Sequence, residues 1–133
     1  MTDQQQQEPQ GELTARVKPM PKDLNSEGDI FGGWVMSQMD LGSSVLAVRR
    51  ASGRVATVAV DSMHFVRPVR VGDLFNCYSR IVREGRTSIT VRVEAWVERR
   101  GTFQLEKVTE ADFTFVALDQ DGRPTPLPAE TTP

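Results

Sequence analysis

The chain has 133 residues, of which 38% are hydrophobic and 26% are charged. This length supports one domain with a proper core but not two ordinary domains, and the composition is typical of a globular protein rather than a fibre or a disordered chain. The formal net charge of -2 argues against a basic nucleic-acid-binding protein.

The N-terminal sequence MTDQQQQEPQ has neither a basic start nor an apolar signal core, and no apolar run is long enough to span a membrane. Because Cys77 is the single cysteine, no intramolecular disulfide can form, and we expect a cytoplasmic location. We expect residues 1–10 to be a disordered N-terminal tail, residues 11–127 to form the domain, and residues 128–133 to be a disordered C-terminal tail. The whole Pro- and Thr-rich end, GRPTPLPAETTP, has almost nothing to bury.

The first half of the domain predicts a short strand, a loop and one long helix. The strand covers about residues 13–17, and the helix covers about residues 31–50 with Asp29 as its N-terminal cap. Apolar residues are spread over most of the circumference of this helix, which is typical of a helix buried on all sides. These residues are Trp34, Val35, Met39, Leu41, Val45, Leu46 and Val48.

The second half predicts four strands. The apolar, β-branched run VATVAV at residues 55–60 is typical of a central strand, and residues 87–97 alternate over an unusual length. Gly85 and Arg86 suit a two-residue hairpin turn with glycine first, and a last strand at about residues 107–118 ends at the turn formed by Asp121 and Gly122. A meander of four strands after the helix favours an α+β fold in which an antiparallel sheet wraps one central helix.

Several common kinds of enzymatic site are excluded. One histidine, His64, and one cysteine cannot form a standard zinc site, so we interpret His64 as a polar side chain at a strand end and Cys77 as a packed thiol. The chain contains no Gly-x-Ser-x-Gly elbow and no Walker loop. The glycines of GDIFGG lack the spacing of a dinucleotide-binding loop.

Two adjacent glycines, Gly32 and Gly33, begin the predicted helix. They expose backbone amides at the positive end of the helix dipole, where an oxygen that gains negative charge can bind. Such donors stabilise the oxyanion of an attacked acyl group by roughly 3 to 4 kcal/mol. The alternative is that the glycines only allow the helix to pack closely against a neighbour.

Asp40 is a carboxylate inside an apolar helix, seven residues beyond Gly33. We interpret it as a base near a reacting group, and the alternative is a local cap where Gly42 weakens the helix. Two helical turns, roughly 10 Å, separate Asp40 from the glycines, so one chain can hardly bring both to one carbon atom. A two-fold dimer with antiparallel helices would solve this, and it predicts two composite sites per dimer.

The sequences NSEGDIFGGWVMSQMDLG at residues 25–42 and RVATVAVDSMHFVRPVRVGD at residues 54–73, together with Met20 and Pro21, resemble the hotdog-fold acyl-CoA thioesterases. The resemblance is to their YciA-like single-domain bacterial branch and covers about residues 11–127. It implies a sheet of five or six antiparallel strands around the helix, dimers with shared sites, and usually a homohexamer built as a trimer of dimers. It also implies hydrolysis of acyl-CoA thioesters to free acid and CoA without a metal or other cofactor.

By position, the resemblance assigns the catalytic acidic residue to Asp40, the motif asparagine to Asn25 and the carbonyl-polarising backbone to Gly32 and Gly33. Asn25 would orient water or the thioester oxygen, although its role could be only to turn the loop. Members of the family often have a second asparagine where Glu27 stands, which is a departure from their pattern.

The resemblance also implies CoA contacts at residues 85–88, with Arg86 for phosphate and Thr87 and Ser88 as hydrogen-bond donors. Arg67 and Arg99 are weaker candidates, and each arginine could instead be a solvated surface residue. We expect a tunnel for the acyl chain between subunits, and the sequence does not specify the acyl length that it takes. Its expected lining residues are Trp34, Met63 and Phe65.

Two roles remain open for Asp40, as a general base on water or as a nucleophile that forms a mixed anhydride. A non-catalytic acyl-CoA sensor is the alternative function, although a buried carboxylate has little use in a pure binding site. A hydroxyacyl thioester dehydratase usually needs a histidine near the helix entrance, and His64 lies outside that region.

Overall fold

The computed structural model describes residues 8–130. Each predicted element is present, with ends that differ from the prediction by two residues or fewer. Before the helix come β1 (Glu12–Val17) and a short 3-10 turn (Pro21–Asp23), and the helix itself is α1 (Gly32–Ala51). Four strands follow: β2 (Val55–Asp61), β3 (Leu74–Glu84), β4 (Ser88–Glu98) and β5 (Leu105–Ala117).

The five strands form one antiparallel sheet in the order β1-β3-β4-β5-β2. The predicted α+β fold is confirmed, but the predicted four-strand meander is wrong, because only β3, β4 and β5 are joined as consecutive neighbours. The strand β2 pairs with β5 at the edge of the sheet, so its predicted central position is also wrong. Val58 is 56% exposed there, which shows that an apolar β-branched run can lie on an uncovered edge.

The core lies between the inner face of the sheet and one side of α1. The predicted inner face of β4 is fully buried at Ile89, Val91, Val93, Ala95 and Val97. Phe113 and Phe115 of β5 extend this surface, and Val35, Met39 and Ala47 of the helix pack in the same cluster. These contacts fix the helix across the sheet and so fix where its N-terminus opens.

The opposite side of α1 is exposed. Leu41 is 64% exposed and Val48 is 44% exposed, so the prediction of a helix buried on all sides is wrong for the single chain. The reason is geometric, since a five-stranded sheet curves around one side of the helix only. On the covered side, a Cβ on Gly42 would lie 3.1 Å from the Thr14 hydroxyl oxygen and 3.2 Å from the Cys77 Cβ, which shows how closely α1 approaches β1 and β3.

Of the two loop predictions, one differs from the structure and one is confirmed. The β3–β4 loop turns at Arg86 and Thr87, closed by the Gly85 N–H donating to the Ser88 carbonyl at 2.8 Å, and Gly85 does not adopt a positive φ. The turn at Asp121 and Gly122 is confirmed, with Gly122 at φ 80°.

Part of the end predicted to be loose is held in place. Thr125 N–H donates to the Ala117 carbonyl, Leu127 N–H donates to the Arg86 carbonyl, and Arg50 Nη1 donates to the Pro128 carbonyl at 2.7 Å. Residues 1–7 and 131–133 of the predicted tails lie outside the described residues. Within residues 8–130, no helix has the length and hydropathy to cross a membrane.

Candidate active site

The loop before α1 is shaped by Asn25. Its Oδ1 accepts the backbone N–H groups of Glu27 at 2.8 Å and Asp29 at 3.1 Å, and its own N–H donates to the Asp29 carbonyl. Asn25 therefore does turn the loop, as an asparagine with a side chain that mimics a backbone turn does. Its Nδ2 makes no hydrogen bond to any other residue that the structure describes, so the amide remains available to a ligand.

The first turn of α1 has no side-chain cap. The N-cap is Phe31, two residues beyond Asp29, so the prediction that Asp29 caps the helix is wrong. Phe31 N–H donates to the Asp23 carbonyl, whereas the N–H groups of Gly32 and Gly33 have no acceptor among residues 8–130. Two exposed amides at the positive end of a 20-residue helix form a site for a negatively charged oxygen.

Gly32 lines a cleft of about 380 Å³ at the helix entrance, whereas Gly33 lies outside its lining. Its lining includes Asn25, Asp29, Gly32, Phe65 and Arg67. A Cβ on Gly32 would lie 3.5 Å from the Phe65 ring, whereas a Cβ on Gly33 would meet nothing within 4 Å. The contact at position 32 is an ordinary van der Waals distance, so packing within the described chain requires glycine at neither position.

Asp40 is half-buried on α1, and its Oδ1 accepts a hydrogen bond of 2.7 Å from the Thr57 hydroxyl of β2. The helix continues through Gly42 to Ala51, so the alternative of a local cap at a helix break is wrong. Asp40 does not line the cleft at the helix entrance. Roughly 10 Å of helix axis separates it from Gly33, so a single chain does not bring the two together.

Arg86, Thr87 and Ser88 lie at the far end of the molecule from the cleft. Their hairpin is fixed beside the C-terminal turn of α1 by an ion pair between Arg50 Nε and Glu84 Oε2 at 2.9 Å. A helix of 20 residues is roughly 30 Å long, so this hairpin cannot reach the helix entrance of its own chain.

The two other candidate arginines have protein partners. Arg99 donates to Asp73 Oδ2 at 2.6 Å and to Glu106 Oε1 at 3.1 Å, and its side chain is 13% exposed. Arg67 donates to the Lys107 carbonyl at 2.9 Å and also lines the cleft. The structure thus places Arg67 at the candidate site and gives Arg99 a role in joining the loop before β3 to β5.

Of the predicted acyl-pocket residues, Phe65 lines the cleft at the helix entrance, whereas Trp34 and Met63 do not. Phe65 lies in the cleft and is 47% exposed, whereas Trp34 packs edge-to-face on Phe75 with ring centroids 5.2 Å apart. Met63 is half-buried against the core.

The residues set aside by the sequence analysis stay outside the site. Burial raises the pKa of the Cys77 thiol to about 12, so it is a packed and protonated side chain. His64 is exposed, and no group of three potential metal-ligating side chains occurs among residues 8–130. Thr57 is the polar neighbour of Asp40 that the sequence analysis missed, because a threonine in a strand looks like an ordinary strand residue.

Comparison with known proteins identifies the family of the chain. Residues 27–104 match the thioesterase superfamily. The acyl-CoA thioester hydrolase YciA of Salmonella typhimurium is 53% identical over 125 residues, which cover 92% of this chain and 94% of that protein. The corresponding hydrolase of Escherichia coli is 50% identical over 125 residues, covering 92% of this chain and 95% of that protein.

Comparison with solved structures identifies the same family. A hexameric thioesterase from Yersinia pestis has a TM-score of 0.88 and 49% identity, covering 91% of this chain and 99% of that one. A hexameric broad-specificity acyl-coenzyme A thioesterase has a TM-score of 0.89 and 47% identity, covering 98% of this chain and 90% of that one. The chain therefore belongs to the thioesterase superfamily and, within it, to the YciA-like acyl-CoA thioester hydrolases.

Proposed function

We propose that this protein hydrolyses acyl-CoA thioesters to a free carboxylic acid and CoA. The observation that carries the proposal is the uncapped first turn of α1, where the N–H groups of Gly32 and Gly33 have no acceptor among the described residues and Gly32 lines a cleft. Donors held in this way stabilise the oxyanion that forms when a thioester carbonyl is attacked. The relatives named as acyl-CoA thioester hydrolases support the same substrate class.

Asp40 is the general base in this proposal. It removes a proton from water, the water oxygen bonds to the carbonyl carbon, and the carbon–sulfur bond then breaks to release CoA as a thiolate, which takes up a proton. Asn25, at the cleft, orients the water or the thioester oxygen through its Nδ2. No step requires a metal or prosthetic group, because the base and the oxyanion donors all belong to the protein.

Each active site is composite. Asp40 lies roughly two helical turns beyond the amides of its own chain, so it acts on a thioester held at the helix entrance of a second protomer. An antiparallel pairing of two α1 helices gives two equal sites and covers the exposed side chains of Leu41 and Val48. The edge of β2, where Val58 and Val60 are exposed, continues this apolar surface.

The same antiparallel pairing supplies the hairpin that binds CoA. Arg86, Thr87 and Ser88 are remote from the cleft of their own chain, and antiparallel pairing places them toward the helix entrance of a neighbour. The relatives from Yersinia pestis and Campylobacter jejuni are hexameric, which supports a hexamer of three such dimers for this chain. The acyl tunnel then forms between subunits from Trp34, Met63 and Phe65, and the enzyme acts in the reducing cytoplasm.

Release of free thiol from a panel of acyl-CoA substrates tests the activity. We expect turnover by the wild type and a loss of about 10²- to 10⁴-fold in kcat for Asp40→Asn, because the amide cannot accept the proton. Asp121→Asn, in an exposed turn, is the matched control and should keep wild-type kcat. Tight binding of acyl-CoA without turnover by the wild type would instead support a sensor.

Single-turnover hydrolysis in oxygen-18 water distinguishes the two roles of Asp40. A general base gives label only in the released acid, whereas label enters the Asp40 carboxylate when water hydrolyses a mixed anhydride at the aspartyl carbonyl. Mass spectrometry of the peptide that contains Asp40 measures the second outcome directly.

A further inference from the structure

The hairpin that joins β3 to β4 has a fixed backbone and unpaired side chains. The Gly85 N–H donates to the Ser88 carbonyl at 2.8 Å, and the Arg86 carbonyl accepts the Leu127 N–H at 2.9 Å. In the part of the chain that the structure describes, the side chains of Arg86, Thr87 and Ser88 have no hydrogen bond or ion pair. A rigid backbone that presents unpaired donors is typical of a preorganised binding site.

One side chain, that of Arg50, connects this hairpin to the helix and to the C-terminal segment. Arg50 Nε donates to Glu84 Oε2 at 2.9 Å, where the hairpin begins, and Arg50 Nη1 donates to the Pro128 carbonyl at 2.7 Å. The residue before Pro128 is Leu127, which holds the Arg86 carbonyl. The planar guanidinium group bonds its two partners in a fixed geometry. Arg50 therefore holds the hairpin directly at Glu84 and, through the C-terminal segment, at Arg86.

A favourable charge at the end of α1 does not account for these contacts. Cations in the last helical turn interact well with the helix dipole, and both Arg49 and Arg50 provide one. The side chain of Arg49 is 61% exposed and pairs with Glu12 of β1. The side chain of Arg50 is 15% exposed and pairs with Glu84. The two neighbours thus carry the same charge in the same turn, but only Arg50 contacts the hairpin.

We infer that Arg50 is a positioning residue for the CoA part of the substrate, an inference that rests on the proposed contact between CoA and residues 85–88. Arg50 attaches this hairpin to α1, the helix whose first turn holds the thioester. In the antiparallel dimer, the hairpin of one protomer and the helix entrance of the other hold the two ends of one acyl-CoA molecule. Without Arg50, the hairpin must be ordered on binding, and this cost falls on the CoA end alone.

Two substrates with the same thioester separate the two ends. One is the acyl-CoA of the panel that turns over fastest, and the other is the N-acetylcysteamine thioester of the same acid, which lacks the nucleotide. We expect Arg50→Gln to raise KM for the acyl-CoA at least about fivefold with kcat unchanged, and to change kcat/KM for the truncated thioester less than about twofold. Arg49→Gln removes the same charge from the same turn and is the matched control, with wild-type values for both substrates.

A double-mutant cycle tests whether Arg50 acts through the hairpin. Once Arg50 is replaced by glutamine, adding Glu84→Ala should cause no further rise in KM for the acyl-CoA. Independent, multiplicative increases would mean that Arg50 contacts CoA itself, and they overturn the inference.

Circular dichroism and size-exclusion chromatography establish that each variant keeps the fold and assembly of the wild type. If Arg50→Gln does not, Arg50→Lys replaces it, because lysine keeps the charge but lacks the fork that holds two partners. Wild-type KM for the folded variant, or an equal loss of kcat/KM for both thioesters, contradicts a positioning role at the CoA end.

Calorimetric titration with CoA separates this inference from the proposed function, because it needs no turnover. Weaker binding of CoA by Arg50→Gln than by Arg49→Gln supports the inference, even if the wild type hydrolysed no thioester, which would contradict the proposed function alone. Arg86→Gln tests the CoA contact. Wild-type affinity for CoA in both Arg86→Gln and Arg50→Gln would contradict that contact and the inference together.

Discussion

The two glycines at the start of α1 have different surroundings. A Cβ at position 32 would touch the Phe65 ring at 3.5 Å, which is an ordinary contact, whereas a Cβ at position 33 would meet nothing within 4 Å. Neither glycine adopts a positive φ, so the backbone does not demand glycine at either position. Glycine at position 33 therefore lowers the stability of the helix, and no close contact in the described chain compensates for this loss. Such a loss is expected at an active-site residue.

Gly33→Ala should separate stability from activity. We expect the free energy of unfolding to rise by about 0.4 to 1 kcal/mol, because alanine restricts the unfolded chain, and kcat/KM to fall at least tenfold as the methyl group crowds the exposed amides. Urea unfolding and thiol release measure the two effects. Gly53→Ala, where a Cβ also meets nothing within 4 Å, should leave kcat/KM unchanged. Equal kcat/KM for wild type and Gly33→Ala would remove Gly33 from the oxyanion site.

The buried thiol of Cys77 predicts a dependence of stability on alkaline pH. Burial raises its pKa from the ordinary 9.0 to about 12, so the folded protein keeps a proton that the unfolded chain releases. The corresponding stabilisation is complete below pH 9 and is lost as pH rises toward 12, at about 1.4 kcal/mol per pH unit. Urea unfolding of wild type and Cys77→Ala should show a difference in unfolding free energy that shrinks above pH 9. A difference that stays constant to pH 11 would contradict the assignment.

At the scale of secondary structure, the hairpin that joins β4 to β5 is anchored by Arg99. Its guanidinium bonds both Asp73, which is 5% exposed, and Glu106. Asp73 also accepts the Arg70 N–H at 2.8 Å, so the carboxylate ties the loop before β3 to the β4–β5 hairpin. These contacts explain why the side chain of Arg99, a weaker candidate for CoA binding in the sequence analysis, is only 13% exposed.

Arg99→Leu should therefore destabilise the fold rather than weaken CoA binding. We expect a loss of about 3 kcal/mol in the free energy of unfolding, since Asp73 is left buried without its cation, and little change in KM for acyl-CoA in the protein that remains folded. Chemical denaturation and steady-state kinetics give the two quantities. The neighbouring, exposed Arg100 provides the control Arg100→Leu, which should change stability by less than about 0.5 kcal/mol. A rise in KM specific to Arg99→Leu would restore its predicted role in binding.

The helix and the strands could be predicted from the sequence, but the pairing of the strands in the sheet could not. Alternation along residues 87–97 is a local property and predicted both the strand and its buried face. The partner of β2 is a long-range property, and the same run VATVAV suits a central strand or an edge that another chain covers. The prediction of the helix N-cap was wrong for a local reason. The chain turns at Asn25, and the helix begins only at Gly32.

For the whole molecule, the separation of Asp40 from the helix entrance means that the proposed mechanism depends on assembly. The resemblance to a known family supplied the candidate site residues, and helix geometry supplied the prediction that a second chain completes the site. The sequence could not show that Arg86 lies beside the C-terminal turn of α1, because the Arg50 and Glu84 ion pair joins residues far apart in the chain.

Mixing two inactive variants tests composite sites directly. A dimer of Asp40→Asn with Gly33→Val has one site that contains both changes and one that contains neither. Random exchange of equal amounts should therefore restore about one quarter of wild-type activity, as two-fold symmetry requires. Thiol release before and after mild dissociation and reassembly measures the recovery. No recovery from mixed assemblies, shown to have formed by mass spectrometry, would place each site within one chain.

The C-terminal segment runs alongside the predicted CoA contact, because Leu127 donates its N–H to the Arg86 carbonyl and Pro128 is held by Arg50. A basic purification tag fused a few residues beyond Pro128 would be within reach of that hairpin and would compete with it for anionic ligands. Affinity measurements on this enzyme should therefore use an untagged protein, or a fusion whose carrier has been removed by proteolysis.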